Sequence, residues 1–319
     1  MRILVTGGAG FVGSHLVAEL IARGDQVVCV DNLSTGSRSN LRQLAGQPGF
    51  EFVEADITAG ISVPGHIDAV AHLASPASPR DYLRLPFQTL AAGSHGTEQA
   101  LRLADERGAR FLLASTSEVY GNPAVHPQRE DYWGNVNPVG PRSVYDEAKR
   151  FAEALTAAWR REHDLNTGIV RIFNTYGPKM AASDGRVIAT FIAQALAGEP
   201  LTIFGDGSQT RSFCYVDDLI RGLLAMIDSA MSGPVNLGNP EEHSVIDVAS
   251  LVLEVTGSTS PITYRPLPAD DPVRRRPDIA LARQLLGWQP RMALADGLRL
   301  TTDWLRSRTR LVPRPGSPS

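Results

Sequence analysis

The chain has 319 residues, a formal net charge of -3, 43% hydrophobic and 20% charged residues. That suits one large globular domain or two coupled ones, and the lack of a basic excess or lysine-rich arm argues against nucleic-acid binding. No apolar stretch reaches the ~18 residues that span a membrane, and Cys29 and Cys214 lie far apart without a CxxC or CxxH neighbour, so neither a membrane anchor nor a metal site is expected.

A structured motif is expected from residue 2, and no signal peptide is expected ahead of it. The expectation is a soluble, cytoplasmic protein whose two thiols stay reduced. "RILVT" (2–6) reads as a buried strand, and "QVVCV" (26–30), "AVAHLA" (69–74), "RFLLAS" (110–115) and "GIVRIF" (168–173) repeat the type. Amphipathic patterns near 11–23, 87–107 and 143–163 predict helices between them. This alternation predicts an α/β fold: a Rossmann-type doubly wound parallel sheet with helices on both faces. After Asn174 turns become denser ("YGPK", "SDG", "FGDGSQ", "LGNP"), helical patterns run over 186–197, 216–228 and 245–256, and "LTIF" and "PVNLG" read as short strands. The predicted division is a nucleotide-binding domain over 1–173 and a smaller mixed α/β substrate lobe over 174–310. The segment around 213–240 is able to return to the main sheet, and the Pro/Ser/Gly-rich tail 311–319 is expected to fray.

"VTGGAGFVGSHL" follows the first strand and opens the first helix, with Gly7, Gly10 and Gly13 in a GxxGxxG spacing. The glycines allow a tight turn, approach of a pyrophosphate to free helix N–H groups, and close packing of the helix. Asp31 ends the second strand, where a carboxylate accepts hydrogen bonds from an adenosine ribose and repels a 2′-phosphate. That favours NAD over NADP, although Arg38 nearby speaks for NADP. Asp56 is placed either to hold the adenine amine or to shape a turn. Phe11, Val12, Asn32 and Ile57, beside these positions, complete the expected cofactor contacts.

"SVYDEAKRFAE" puts Tyr145 and Lys149 four apart, on one face of a helix. A lysine there is expected to lower the phenol's pKa and to reach a nicotinamide ribose. Ser115, Thr116, Ser117 and Glu118 end the fifth strand, at the edge where ligands bind in open α/β sheets. "ADDPVRRRPDI" (269–279) sets three arginines in a row, to be answered by an anion or by solvent.

"TGGAGFVGSHL", "STSEVYG", the YxxxK pair, "RIFNTYGP" and "GDGSQTRSF" resemble the extended short-chain dehydrogenase/reductase family acting on nucleotide sugars. "HLASPASP", "PVGPRSVYDEAKR", "RIFNTYGPKM", "VNLGNPEEH" and "DDPVRRRPDI" resemble its UDP-glucuronic acid decarboxylase branch, and "KMAASDGRV" departs from it in the loop over the sugar. The resemblance implies an NAD-dependent lyase that oxidises C4 of UDP-glucuronate, loses CO2 and re-reduces the ketone to UDP-xylose. It implies catalytic roles for Tyr145, Lys149, Thr116, Ser117, Glu118 and Arg275, with Arg275 on the sugar carboxylate or the diphosphate. It places Asn174, Arg186 and Arg211 on the UDP-sugar. It also implies a homodimer built on the helices near 87–107 and 143–163. Ser117 stands where related 4,6-dehydratases carry an aspartic acid that protonates a leaving hydroxyl, and serine is too weak an acid for that. A 4-epimerase, a 4,6-dehydratase and a non-enzymatic NAD sensor remain the alternatives.

Overall fold

The structure, a computed structural model, describes residues 1–267 and 274–309. The tail 311–319 and the first half of "ADDPVRRRPDI" lie outside the described residues.

In chain order the first half comprises β1 (Arg2–Thr6), α1 (Phe11–Ala22), β2 (Gln26–Asp31), β3 (Phe50–Glu54), β4 (Ala69–His72), α2 (Pro79–Arg84), α3 (Pro86–Ala91), α4 (Thr97–Arg107), β5 (Arg110–Thr116), α5 (Ser143–His163) and β6 (Thr167–Ile172). The second half comprises β7 (Thr175–Tyr176), α6 (Val187–Ala197), β8 (Leu201–Phe204), β9 (Thr210–Ser212), β10 (Cys214–Tyr215), α7 (Val216–Ile227), β11 (Val235–Leu237), β12 (Glu242–Ser244), α8 (Val245–Thr256), β13 (Ile262–Arg265), β14 (Arg274–Arg275), α9 (Ala280–Leu286) and α10 (Leu294–Thr309).

Seven strands form one parallel sheet in the order β11-β6-β5-β4-β1-β2-β3. Its continuous apolar runs are those of a sheet covered on both sides. Strand periodicity divides the core: Ile3, Val5, Val27 and Cys29 pack with Leu16, Val17 and Leu20 of α1 and with α7. Leu4, Val28, Val30, Phe111 and Leu113 face the opposite way, onto Leu101 and Ala104 of α4 and Ala152 of α5. Each fully buried aliphatic side chain contributes about 1.5–3 kcal/mol, so both layers are strongly driven.

Two elements differ from the predicted outline. The helix expected over 87–107 is α3 and α4 joined by one π turn at Ala92–Gly96. β3 was not predicted as a strand; its sequence "FEFVE" is only half apolar, as befits the edge of the sheet. Beyond β6 the chain builds a lobe in which α6, α8 and α10 pack together. The lobe carries the parallel pair β8–β13 and a three-stranded sheet of order β12-β9-β14. Within it β11 turns back to pair with β6. Among the described residues no helix is long and apolar enough to cross a membrane.

Candidate active site

A cavity of about 1220 Å³ lies between the carboxyl ends of β1, β2, β5 and β6 and the lobe. It exceeds the ~300–1,000 Å³ of a site for one small ligand, and so has room for a cofactor and a substrate. Each of the sequence-selected positions reaches it: Gly7, Gly10, Phe11, Val12, Gly13, Asp31, Asn32, Asp56, Ile57, Thr116, Ser117, Glu118, Tyr145, Lys149, Asn174, Arg186, Arg211 and Arg275.

The β1–α1 turn is built for close approach. Gly7 has φ +70, and a Cβ there would lie 2.8 Å from the Ala74 backbone. A Cβ on Gly13 would lie 2.1 Å from the Gly7 carbonyl oxygen, so the helix packs against the turn itself. Gly10 caps α1 without any side-chain acceptor, and the first turn carries no acidic residue, which leaves the helix N–H groups to an anion. Asp31 Oδ2 accepts from Ala9 N–H at 2.9 Å and Oδ1 from Leu33 N–H at 2.8 Å, while burial raises its pKa. Asp56 caps the turn at Ile57–Ala59 through Thr58 N–H at 2.9 Å, and its other oxygen accepts from Asn32 Nδ2 at 3.0 Å. Arg38 points elsewhere: it pairs with Glu54, lies over the Phe52 ring and does not line the cavity. A cradle of helix N–H groups beside the Asp31 carboxylate, with Arg38 turned away from the cavity, fits NAD.

The central group comes from β5, α5 and β14. Tyr145 and Lys149 occupy one face of α5, and both are at least nine-tenths buried. The Tyr145 ring stacks on Tyr82, with centroids 5.2 Å apart and planes within 6°. The expectation that Lys149 lowers the phenol's pKa is not met. Burial pushes Tyr145 up, and the hydrogen bond from Thr116 opposes this while the Glu118 charge adds to it. Lys149 Nζ donates to the Ala114 carbonyl at 2.8 Å, and burial pulls its pKa down to about 8. The i,i+4 spacing fixes a shared face but says nothing of the dielectric around it.

Thr116 caps the turn that follows β5, accepting from Glu118 N–H at 3.2 Å, and Ser117 is 2% exposed. Ser115 also borders the cavity, but its hydroxyl donates to Glu153 at 2.6 Å. Glu118 is bridged between two guanidiniums, Arg275 on one oxygen and Arg142 on the other at 2.5 Å. Together they outweigh its burial and hold it at about 2. Arg275 is 4% exposed. β14 pairs with β9 so that Arg275 lies in register with Arg211, which sets two arginines side by side on the cavity wall. Arg186 is held by Asp184 through two bonds of 2.5 and 2.9 Å at the start of α6. Asn174, between β6 and β7, lines the cavity.

Several lining residues were not singled out from sequence. Arg142 lies within "PVGPRSVY", one turn before Asp146, and Tyr82 follows "HLASPASP". Thr202 and Phe204 share a face of β8 and line the lobe's side of the cavity with Gln209 and Val245. Alternation within "LTIF" was the available signal: it sets Phe204 on the face opposite the buried Leu201 and Ile203, where the ring remains 44% exposed.

Residues 3–238 match the NAD dependent epimerase/dehydratase family. UDP-glucuronic acid decarboxylase 1 of Danio rerio is 48% identical over 98% of this chain and 76% of its own. UDP-glucuronic acid decarboxylase 4 of Arabidopsis thaliana is 50% identical over 97% of this chain and 69% of its own. Among solved structures, UDP-glucuronic acid 4-epimerase from Bacillus cereus, in complex with UDP-glucuronic acid and NAD, superposes with a TM-score of 0.85 at 30% identity, covering 97% of this chain and all of that one.

Proposed function

The chain belongs to the NAD dependent epimerase/dehydratase family, and from that premise we propose how its cavity works. It is an NAD-dependent enzyme that decarboxylates UDP-glucuronate to UDP-xylose through a 4-keto sugar, as its relatives at 48–50% identity indicate. The observation that carries the site reading is Arg275, a buried arginine that reaches the residue next to Ser117 in the cavity holding Tyr145.

NAD, when bound, supplies the hydride acceptor at C4, the hydride donor for the final reduction and a positive charge within the cavity. Tyr145 Oη takes the proton of the C4 hydroxyl once it is a phenolate, a form that burial disfavours and that the Thr116 hydrogen bond, the Arg186 charge and the positive charge NAD would bring favour. Lys149, charged at neutral pH and shielded from water, holds the ribose side of the site. Arg275 and Arg142 orient the C6 carboxylate, which becomes β to the ketone. Loss of CO2 leaves the C5–C6 electron pair in an enolate, whose oxygen Tyr145 Oη stabilises. Glu118, displaced from Arg275 by the sugar carboxylate, loses one of the two cations that depress its pKa and keeps Arg142; having taken up a proton from solvent, it delivers that proton to C5. Ser117 offers no acid for eliminating water, which separates this site from a dehydratase. Arg211 and Arg186 meet the diphosphate, Asn174 bonds the sugar nucleotide, and Phe204 stacks on the uracil.

The protein acts in the cytoplasm in this reading, consistent with two buried free cysteines. It pairs as a homodimer through the face that exposes Phe87 (81%) and Leu90 of α3 and Phe151 (51%) of α5, an apolar patch unlike a monomer surface.

NMR of the products formed from UDP-glucuronate and NAD, with the CO2 trapped, tests the reaction. UDP-xylose and CO2 are expected. Conversion to UDP-galacturonate without CO2, or turnover of UDP-glucose instead, overturns it.

A further inference from the structure

We propose that Gln128 is a positioning residue for Arg275, acting on the carboxylate contact rather than touching the substrate; this rests on the decarboxylase reading above. Gln128 lies in the connection between β5 and α5 and is completely buried. Its N–H donates to the Arg276 carbonyl at 2.9 Å, its Oε1 accepts from Arg276 N–H at 2.8 Å, and its carbonyl accepts from Asp278 N–H at 2.9 Å. It therefore grips the chain immediately after Arg275, as a strand partner would, while β9 grips Arg274 and Arg275 from their own register. Its Nε2 is tied to the Val125 carbonyl at 2.8 Å, so the amide has one orientation.

The anchor continues into the sheet. Asn236 Nδ2 donates to the carbonyls of both Gln128 and Asp278 at 3.0 Å, and its Oδ1 accepts from the Tyr120 hydroxyl at 2.8 Å. Arg171, paired with Glu153, holds Tyr120 in turn.

This grip matters because of how little else fixes the Arg275 head. Its Nε has no hydrogen-bond partner among the described residues. Its Nη atoms reach Glu118 and, at 3.4 Å, the Gly121 carbonyl. Glu118 must release the guanidinium when a sugar carboxylate arrives. From then on the aim of Arg275 depends on where its backbone is held, and Gln128 supplies the side-chain acceptor for that segment.

Gln128→Met keeps length and removes the acceptor. Calorimetric titration of NADH-loaded protein, in which the sugar is not oxidised, compares UDP-glucuronate with UDP-xylose, which lacks the carboxylate. UDP-glucuronate is expected to weaken about tenfold and UDP-xylose by less than about twofold. In an Arg275→Ala background the same change is expected to leave UDP-glucuronate affinity unaltered. Gln128→Glu, which retains an acceptor for Arg276 N–H, is expected to restore most of the preference. Should Gln128→Met not fold, Gln128→Asn withdraws the acceptor by one methylene and gives the same readout. Parallel losses for both ligands, no change for either, or an effect that persists without Arg275 overturns the proposal. If the wild type itself shows no preference for UDP-glucuronate, or releases no CO2 from it, the decarboxylase reading fails instead.

Discussion

Replacing Glu118 by glutamine is expected to separate binding from turnover, because Glu118 and the sugar carboxylate compete for one guanidinium. Burial alone would raise the Glu118 pKa above its ordinary 4.5, yet Arg275 and Arg142 hold it at about 2. The two guanidiniums thus favour the ionised side chain by more than its burial disfavours it. An arriving carboxylate has to displace part of this interaction. Glu118→Gln leaves the shape and removes the competing charge, so UDP-glucuronate should bind more tightly. A gain of about tenfold is expected, since Arg142 can retain the amide oxygen. UDP-xylose should gain almost nothing. Turnover should fall by ~10² or more, because an amide cannot deliver the proton to C5. The stability effect has a definite sign. A folded pKa below the unfolded one stabilises the protein above pH 4.5, and the contribution disappears as pH falls toward 2. At pH 7.5 the variant therefore lacks all of it and melts lower than wild type, while the two converge in acid. Titration of NADH-loaded protein and initial rates of CO2 release read the two effects. Weaker binding of UDP-glucuronate in the variant, or an equal change for UDP-xylose, would refute the competition.

Tyr145→Phe keeps the stack on Tyr82, so its melting temperature should stay within about a degree of wild type while CO2 release drops ~10²–10⁴-fold. Lys149 has a folded pKa of about 8 against an ordinary 10.5, so the unfolded chain binds more protons between these values and wild-type stability should rise with pH there. Lys149→Met should abolish that rise, measured as the difference between the two melting curves from pH 8 to 10. Phe204→Ala should weaken UDP and UDP-glucuronate alike, by ~1–3 kcal/mol from lost base stacking, in the same titration. Phe87→Glu combined with Phe151→Glu should yield a monomer in analytical ultracentrifugation, and a dimer that persists would place the interface elsewhere.

The parallel sheet was legible because the apolar strands and the amphipathic helices have different periods, and the two core layers follow from alternate residues of the strands. Nucleotide-site residues were legible where chemistry depends on local spacing: Gly7, Gly10, Gly13 and Asp31 surround one turn, and Tyr145 and Lys149 share one helix face. Long-range juxtaposition was not. Nothing in "GPRSVY" announces that Arg142 meets the same carboxylate as an arginine 133 positions later in sequence, or that Gln128 hydrogen-bonds beside it. The direction of the Tyr145 shift was misjudged for a related reason: spacing reports neighbours on the helix, whereas burial is set by Tyr82 and by the β5 edge, which arrive from elsewhere.

The arginine run thus has a division of labour that a solvated basic turn lacks. Arg274 is exposed, Arg276 contacts Glu242 at 3.6 Å on the outer side, and Arg275 alone of the three turns into the cavity. Strand alternation explains this, since successive side chains of β14 leave on opposite faces. The inward guanidinium is paired with Glu118, and the proposed reading has an anion of better fit displace that carboxylate. A neutral hexose brings no charge to that exchange and, in the proposed reading, leaves the Arg275–Glu118 bridge closed; preference for the acid then comes from the Arg275 guanidinium itself, and the bridge tempers it by competing with the uronate. That is why the prediction for Glu118→Gln includes both tighter binding of the acid and no gain for the pentose.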